Sequence, residues 1–439
     1  MALFGQRRPS IFTEGRFFVG KEWRMKFDDL SFPEKLEHLE GVAHRALPQW
    51  GFPKDSRVRL LNFTENATYL VEPGDGRKVI MRVHRLPYVS MDSIRTELTW
   101  MHALREETDL SLPEVIPMKD GGLIATIETK ELCEERHVVC FTFAEGRPPV
   151  DSSDGNGDVG ALIAKIEKIP DSITIPVFKS AAVVSDAIGQ HQHGSKMQEK
   201  DRRIYQMVGS IMAKMHVQSL HWKKPDFYHR IAWDFDGTFG RKNNFYDTTY
   251  ADPKWLSARD IEVLNQARET IRCRLALYGE GRQRYGMIHS DLRTANLLFD
   301  GKTMTVLDFD DCGMGWYMYD IAGAVALMEH RPDLSEIVNE ILKGYENIRP
   351  LEEADKEEIP TFIMMRRIGM LQSLICRIGC VMGGSGEACE LTPEILAFYA
   401  KGTVRLAERY IEEFSDEKMK SNAIAARQKM QHILTPYVI

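Results

Sequence analysis

The chain has 439 residues, of which 43% are hydrophobic, and this length can bury a large core, most simply as two lobes. Its net charge of −7 and pI of 6.1 give no basic surface that would indicate nucleic acid or an anionic membrane as a partner. No apolar run approaches the roughly 18 residues of a membrane span, and the start lacks a signal-peptide core. The seven scattered cysteines lack zinc-ligand spacing. We therefore expect a cytoplasmic protein with reduced thiols, no nucleic-acid or membrane partner, and an oligomeric state that the sequence does not indicate.

The first part of the chain predicts an N-terminal extension over 1–56 and a strand-rich lobe over 57–145. Pro33 begins a run of apolar residues at helical spacing, and Pro48 ends it. Farther on, short β-prone runs alternate with turn residues such as Pro73-Gly-Asp-Gly76, a pattern typical of hairpins. The predicted elements are a helix over 33–47, strands over 58–62, 68–72 and 78–84, a helix over 90–107, and strands over 123–128 and 137–143.

The second part predicts a polar insertion over 146–203, a mainly helical lobe over 204–415, and a tail over 416–439. The run from Asp151 to Asp158 is rich in Ser, Asp and Gly, which is typical of a long functional loop. Beyond it the apolar residues recur at helical spacing. The predicted helices cover 205–220, 255–278, 321–330, 334–348, 360–381 and 393–413. The fold class is therefore α+β, a bilobal arrangement of an antiparallel sheet plus helix in the N-lobe and helices in the C-lobe.

The most informative stretch combines two short strands with polar residues at their ends. One apolar strand leads into His289, Asp291 and Asn296, which match H-x-D-x-x-x-x-N, the spacing of a kinase catalytic loop. A second apolar strand leads into Asp308, twelve residues after Asn296, where a kinase keeps a magnesium-binding carboxylate. A carboxylate must meet the attacking hydroxyl, while an amide and a second carboxylate bind the metal that bridges the nucleotide phosphates. Both matches in order are a far more specific signal than either alone.

The run from His289 to Val325 resembles the aminoglycoside phosphotransferase family, whose members are protein-kinase-like small-molecule kinases. Besides the two motifs above, Asp320-Ile-Ala fills the position where that family begins a helix with a D-L-A sequence. The resemblance covers residues 57–145 and 204–380. It implies a protein-kinase-like bilobal fold and an enzyme that transfers the γ-phosphate of ATP or GTP, with Mg²⁺, to a hydroxyl group.

The resemblance also implies roles for the central residues. Asp291 is expected to accept or orient the proton of the substrate hydroxyl as it attacks. Asn296 and Asp308 are expected to hold Mg²⁺. His289 is expected to support the loop by hydrogen bonding and to do no chemistry itself.

The acidic residues after Asp308 and the cation beside Asp291 leave alternatives open. Asp310 is expected near the metal, although Asp310 and Asp311 could instead bind a cationic substrate or neighbouring amides. Arg293 either neutralises the transferring phosphoryl group or pairs with these two acids. Asp320 is expected to cap its helix and to brace the catalytic loop.

A phosphate-anchoring pair is expected in the N-lobe. Val79-Ile-Met-Arg82 stands where kinases carry V-A-I-K, and Glu97 stands where their helix-C glutamate orients that cation. Arginine keeps the charge but is longer and planar, so Arg82 is the main departure from the family pattern. We expect Arg82 and Glu97 to anchor the nucleotide phosphates.

The other nucleotide contacts are expected from loops. The first hairpin lacks G-x-G-x-x-G, so Thr64, Asn66 and Thr68 must cover the phosphates with backbone amides and hydroxyls. Asn66 is the residue of this hairpin that best tolerates a positive φ. Phe141 and Phe143 end the last strand, at the position where the hinge between kinase lobes reads the adenine edge through backbone groups.

The leading hypothesis is phosphoryl transfer to a hydroxyl of a small, amine-bearing metabolite or antibiotic. A Ser/Thr protein kinase is the first alternative, but the interval from Asp308 to Asp320 holds no long activation segment and no A-P-E sequence. A nucleotide-binding pseudokinase is the second alternative. Arg82 and the missing Gly-rich loop favour it, whereas the intact set of catalytic and metal-binding residues disfavours it.

Overall fold

The computed structural model describes most of the chain from residue 26 to residue 414. The described ranges are 26–63, 66–86, 89–149, 197–240, 250–329, 331, 333–378, 381–384 and 387–414. The predictions for the residues before 26, for Thr64, for most of the insertion over 146–203 and for the tail lie outside these ranges. Within them, no helix has both the length and the apolar character needed to cross a membrane.

The N-lobe is an antiparallel sheet with helices packed against it, as predicted. Its elements are α1 (Phe32–Ala46), β1 (Arg57–Phe63), β2 (Ala67–Glu72), β3 (Val79–Val83), α2 (Met91–Glu107), β4 (Ala125–Thr129) and β5 (Glu134–Thr142). The strands pair in the order β1-β2-β3-β5-β4. Leu39, Val42 and Ala43 of α1 are fully buried against the inner face of this sheet, because they follow one another at helical spacing.

The C-lobe is mainly helical and carries the catalytic stretch on short strands. Its helices are α3 (Glu199–Ser219), α4 (Phe235–Phe239), α5 (Ala258–Tyr278), α6 (Tyr319–Ala324), α7 (Leu334–Glu346), α8 (Glu353–Glu357), α9 (Ile359–Cys376) and α10 (Pro393–Phe414). Its first strands are β6 (Ala232–Trp233), β7 (Tyr285–Ile288), β8 (Leu297–Phe299), β9 (Met304–Val306) and β10 (Gly313–Trp316). Strand β10 lies between β6 and β7, and β8 pairs with β9. The residue that follows β7 lies beside the residue that follows β9, because His289 contacts the carbonyl of Leu307 at 2.9 Å.

Two of the predicted helices are too long. The helix predicted over 321–330 ends at Ala324, because Leu327 adopts a positive φ of 69° that no right-handed helix contains. The helix predicted over 360–381 ends at Cys376. The sequence beyond Cys376 is rich in glycine, which disfavours a helix interior.

The chain after α9 forms a hairpin that joins the N-lobe sheet. Its strands are β11 (Val381–Gly384) and β12 (Glu387–Glu390), and β11 pairs antiparallel with β1. Phe63 lies opposite Gly383, directly beside the first N-lobe hairpin. The C-lobe therefore contributes two strands, β11 and β12, to one edge of a seven-stranded sheet. The spacing of apolar residues did not predict these two strands.

A glycine marks the point where the chain passes from the N-lobe to the C-lobe. Gly146 has φ of 135°, and a side chain there would contact the backbone of Phe299. Arg147, the next residue, exchanges two backbone hydrogen bonds with Phe299 at 3.1 and 2.7 Å. The chain that follows β5 is thereby held against β8, close to the catalytic loop.

Helices α3 and α7 pack with their backbones in direct contact. A Cβ atom at Gly209 of α3 would overlap the carbonyl oxygen of Ile341, and one at Gly344 of α7 would overlap that of Gln206. Helix α3 also contains His216, which contacts Asp320 beside the catalytic loop. The close packing of α3 on α7 therefore helps to fix the position of this histidine.

We expect Gly209→Ala to lower the free energy of unfolding by about 1–3 kcal/mol, because the added methyl group must push the two helices apart. Thermal or denaturant unfolding measures the change. Gly281→Ala is the control, since Gly281 has open space around it and the substitution should change stability by less than about 0.5 kcal/mol. Equal stability of both variants would contradict the close packing of α3 on α7.

Candidate active site

The catalytic loop is held by one buried carboxylate. The backbone N–H groups of His289 and Ser290 both donate to Asp320, the first at 3.0 Å. His216 contacts the same carboxylate at 2.9 Å and is itself fully buried. Ser290 adopts a positive φ of 68°, a conformation that persists only where its surroundings enforce it. Asp320 thus braces the loop as predicted, but Met318 occupies the N-cap position of α6, so the predicted capping role is wrong.

His289 supports the loop, in agreement with the prediction. Its Nδ1 accepts from the backbone N–H of Asp291 at 3.3 Å, so its Nε2 carries the proton and donates to the carbonyl of Leu307 at 2.9 Å. The imidazole also packs against Phe309, with ring centroids 4.7 Å apart. One histidine therefore connects the catalytic loop to the segment that contains Asp308.

Asp291 is surrounded by cationic and amide donors. Arg293 binds both of its carboxylate oxygens at 2.9 and 3.0 Å, and Asn296 donates to one of them at 2.8 Å. Arg366 of α9 donates at 2.9 Å. Burial alone would raise the pKa of Asp291, but the two guanidinium groups outweigh it and hold the pKa well below its usual value. The carboxylate is therefore ionised at neutral pH and fixed in direction.

Asp308 presents an open carboxylate at the end of β9. Its φ of 57° turns the side chain away from the strand, and the side chain is 53% exposed to the cleft. Burial of the surrounding pocket and the charge of Asp310 raise the pKa of Asp308 to about 6, although Arg82 opposes them. A cation would stabilise this carboxylate, so Asp308 fits the metal-binding role.

Asn296 completes the same donor set. Its side-chain N–H₂ group donates to the backbone carbonyl and the carboxylate of Asp291, both at 2.8 Å. These two bonds fix the amide so that its carbonyl oxygen remains as an acceptor. An amide oxygen and a carboxylate are ligands that Mg²⁺ prefers, and the described residues fit that ion at this position.

Asp310 connects the C-lobe to the first N-lobe hairpin. Asn66 donates to Asp310 at 2.8 Å, and the other oxygen of Asp310 lies 3.9 Å from the ring of His84. Burial opposes ionisation, but Arg82, His84 and Arg230 lower the pKa of Asp310 to about 2. The side-chain oxygen of Asn66 also accepts from the backbone N–H of Arg85 at 3.2 Å. Asp310 therefore contacts the N-lobe, and its predicted place on the metal stays a prediction.

Asp311 has a different environment from its neighbour. Its backbone carbonyl accepts hydrogen bonds from the indole of Trp233 at 2.7 Å and from the hydroxyl of Ser290 at 2.9 Å. Burial, followed by the charges of Asp291 and Asp310, raises the pKa of the Asp311 carboxyl to about 7. Its backbone is fixed, while its negative charge is poorly compensated.

The predicted pair in the N-lobe is present. Arg82 of β3 donates to Glu97 of α2 at 2.6 Å, and both side chains are buried. The other end of the same guanidinium lies 4.0 Å from Asp308. Burial alone would lower the pKa of Arg82, but Glu97, Asp310 and Asp308 together raise it. The cation that replaces the usual lysine thus reaches from α2 to the metal-binding segment.

The other predicted nucleotide residues lie around this pair. Thr68 is opposite Arg82 in the register of β2 and β3. The ring of Phe141 lies 5.1 Å from the Arg82 guanidinium, so its side chain packs against that of Arg82. Phe143 follows β5 and contacts Lys78, 5.2 Å from its ring centre. Thr64 lies outside the described residues.

Three residues of the site were not predicted. Arg366 reaches Asp291 from α9, Arg230 holds the backbone of Asp310 and Cys312, and His84 lies buried beside Asp310. The two consecutive arginines inside the apolar sequence of α9 were a usable signal, because buried charges are usually paired. Arg230 and His84 carry no such signal in the sequence.

Comparison with known proteins identifies relatives along most of the chain. The model of the phosphotransferase enzyme family matches residues 58–356. Amicoumacin kinase of Bacillus subtilis (strain 168) is 22% identical over 348 residues, which cover 76% of this chain and 84% of that protein. Hydroxylysine kinase of Mus musculus is 21% identical over 382 residues, which cover 82% of this chain and 91% of that protein.

Solved structures agree with this assignment. A microcompartment-associated aminopropanol kinase is 30% identical, with a TM-score of 0.66 and coverage of 85% of this chain and 99% of the other. The amicoumacin kinase hAmiN, solved with AMP-PNP, Ca²⁺ and Ami, is 17% identical with a TM-score of 0.60 over 85% and 96% of the two chains, which shows the fold. The predicted protein-kinase-like bilobal fold is confirmed. Since the family model matches well over half of its residues, the chain belongs to the phosphotransferase enzyme (APH) family, as its motifs predicted.

Proposed function

We propose that this phosphotransferase moves the γ-phosphate of ATP or GTP, with Mg²⁺, to a hydroxyl group of a small, amine-bearing metabolite or antibiotic. The observation that carries the proposal is the convergence of Asp291, Asn296 and Asp308 opposite the Arg82–Glu97 pair. The names of the relatives support the acceptor class, since aminopropanol and hydroxylysine each carry an amine and a hydroxyl.

The nucleotide is proposed to lie between the sheet and the catalytic loop. Arg82, oriented by Glu97, would bind the phosphates as a bidentate donor. The backbone of the hairpin around Asn66 and Thr68 would cover them, and the backbone after Phe141 and around Phe143 would bind the base. These positions correspond to those of a kinase nucleotide site.

Asp308 and Asn296 would hold the metal ion. When bound there, Mg²⁺ would neutralise negative charge on the nucleotide phosphates. The carboxylate of Asp308 and the amide oxygen of Asn296 would supply two of its oxygen ligands. The fixed amide of Asn296 connects this ion to the orientation of Asp291.

Asp291 would position the acceptor hydroxyl. Because two arginines keep its pKa low, Asp291 is a weak base that accepts a hydrogen bond and takes the proton only as the new O–P bond forms. The oxygen–phosphorus bond to the leaving phosphate breaks in the same transfer, and the nucleoside diphosphate carries that electron pair away. Arg293, which is paired with Asp291, would stabilise the charge of the phosphoryl group in transfer.

The alternative functions have less support. After Asp308 the chain passes within a few residues into β10 and α6, which leaves no room for the long activation segment of a protein kinase. A pseudokinase would not require the fixed geometry of Asp291 and Asn296. The cytoplasmic location is proposed from the seven scattered cysteines, whose spacing is typical of reduced thiols.

We expect Asp291→Ala to lower the turnover number by about 10²- to 10⁴-fold, because the acceptor hydroxyl loses its orienting base. Nucleotide binding should survive, since Asp291 lies on the acceptor side of the phosphates. Steady-state ADP release measures turnover, and calorimetry measures binding. A variant with near wild-type turnover would overturn the role of Asp291.

We expect Asp308→Ala to abolish the stabilisation that Mg-nucleotide gives the wild-type protein. A ligand at 100 times its dissociation constant adds about 2.7 kcal/mol, which thermal unfolding detects with Mg-ATP and Mg-GTP in turn. Glu262→Ala, which removes an exposed carboxylate of α5, is the control and should keep the shift. An unchanged shift in Asp308→Ala would rule out this metal site.

We expect Asn66→Ala to raise the KM for the nucleotide about 10-fold with a smaller change in kcat, because a hydrogen bond to a buried carboxylate is lost. Asn62→Ala on the same hairpin is the matched control. Titration of Mg-nucleotide at saturating acceptor separates the two constants. If both variants had the wild-type KM, the contact between Asn66 and Asp310 would have no part in nucleotide binding.

A further inference from the structure

Asp311 is fixed through its backbone. Asp311 is the last residue of the short 3-10 helix Phe309–Asp311. Its backbone carbonyl accepts hydrogen bonds from two buried donors, the Trp233 indole and the Ser290 hydroxyl. Both donors belong to the catalytic half of the molecule. The backbone of Asp311, and with it the direction of its Cα–Cβ bond, is therefore fixed by these two hydrogen bonds.

That carboxylate has no hydrogen-bond donor among the described residues. Its neighbours are already engaged: Asn66 donates to Asp310, while Arg293, Asn296 and Arg366 donate to Asp291. The charge of Arg366 moderates that of Asp311, but the hydrogen bonds of Arg366 go to Asp291 and to Tyr319. A partly buried carboxylate that lacks a partner is costly, so this one is suited to a cationic ligand.

The two adjacent acids face different sides of the site. In a 3-10 helix, successive side chains are rotated by about 120°, so Asp310 and Asp311 cannot share one direction. Asp310 points to the N-lobe, where it contacts Asn66 and lies near Arg82. Asp311 lies beside Asp291 and Arg366, in the C-lobe, where the acceptor must lie if its hydroxyl is to reach Asp291.

The aromatic residues nearby are not available for the same task. Trp233 stacks on Tyr319 with ring centroids 5.6 Å apart, and the guanidinium of Arg366 lies 5.5 Å from the Trp233 ring. Both rings are buried and already hold this arginine. Among the described residues that lie around Asp291, the carboxylate of Asp311 is therefore the group we assign to recognition of a positive charge.

We propose that Asp311 binds the ammonium group of the acceptor while the hydroxyl of the same molecule meets Asp291. The inference rests on the proposed function and names its acceptor class, a short amino alcohol with the two groups close together. A neutral polyol of the same shape would leave the Asp311 charge without a partner. Asp311 is in this sense the residue that determines specificity for the acceptor.

The test compares Asp311→Asn with Asp310→Asn. Each is assayed for ADP release with ethanolamine, 1-amino-2-propanol or 5-hydroxylysine, and with ethylene glycol or 1,2-propanediol as neutral counterparts. Asp311→Asn should raise the KM for the amine at least about 30-fold and leave the KM for the nucleotide within about twofold. Asp310→Asn should have the opposite pattern. Asp311→Glu, which keeps the charge, should lose less than Asp311→Asn.

A second measurement uses an amine that cannot be phosphorylated. Isopropylamine, which has no hydroxyl, should inhibit the wild type competitively against the amino alcohol and should inhibit Asp311→Asn at least about 30-fold more weakly. The Mg-nucleotide thermal shift of Asp311→Asn should equal that of the wild type, which verifies that the variant is folded.

The contrary results are distinct. Equal use of diols and amino alcohols by the wild type, or an unchanged amine KM in Asp311→Asn, would overturn the role of Asp311 and leave phosphoryl transfer intact. Absence of transfer from Mg-ATP and Mg-GTP to any of these acceptors would overturn the proposed acceptor class together with this inference.

Discussion

The geometry of the site depends on the buried carboxylate of Asp320. A buried charge is stable only when its hydrogen bonds are complete, and here two backbone N–H groups and a histidine supply them. Burial lowers the pKa of His216, which keeps its ring neutral, with one nitrogen to donate to Asp320 and the other to accept from Tyr345. The strained φ of Ser290 is enforced by this network, and the direction of Asp291 follows from it.

The arginine at position 82 is explained by the distance it must span. Its guanidinium donates to Glu97 with one nitrogen and approaches Asp308 with the other. A lysine offers a single ammonium group and would not hold both carboxylates with a rigid fork. The departure from the kinase pattern is thus compatible with phosphate binding, because the cation remains paired, buried and ionised. It does not favour a pseudokinase.

Local sequence patterns predicted most of the elements, and long-range contacts account for the misses. The strands around Arg82 and the catalytic loop have strong turn signals and spacing, so they were predicted within a few residues. The hairpin β11–β12 was missed, since its pairing with β1 joins residues more than 300 positions apart. Arg366 was missed for the same reason: its partner Asp291 lies on another element, 75 positions earlier.

The three acids after β9 illustrate what sequence alone leaves open. Asp308, Asp310 and Asp311 are chemically identical, yet their surroundings raise the pKa of Asp308 and of Asp311 and lower the pKa of Asp310. The difference arises from partners on other elements: Arg82 and Arg230 stabilise the charge of Asp310, whereas Asp311 has mainly negative neighbours. A carboxylate that is paired with cations of other elements connects those elements. A carboxylate without such partners is suited to bind a cation from solution. By this criterion Asp310 connects the lobes, Asp308 fits a metal, and Asp311 fits the amine of the acceptor.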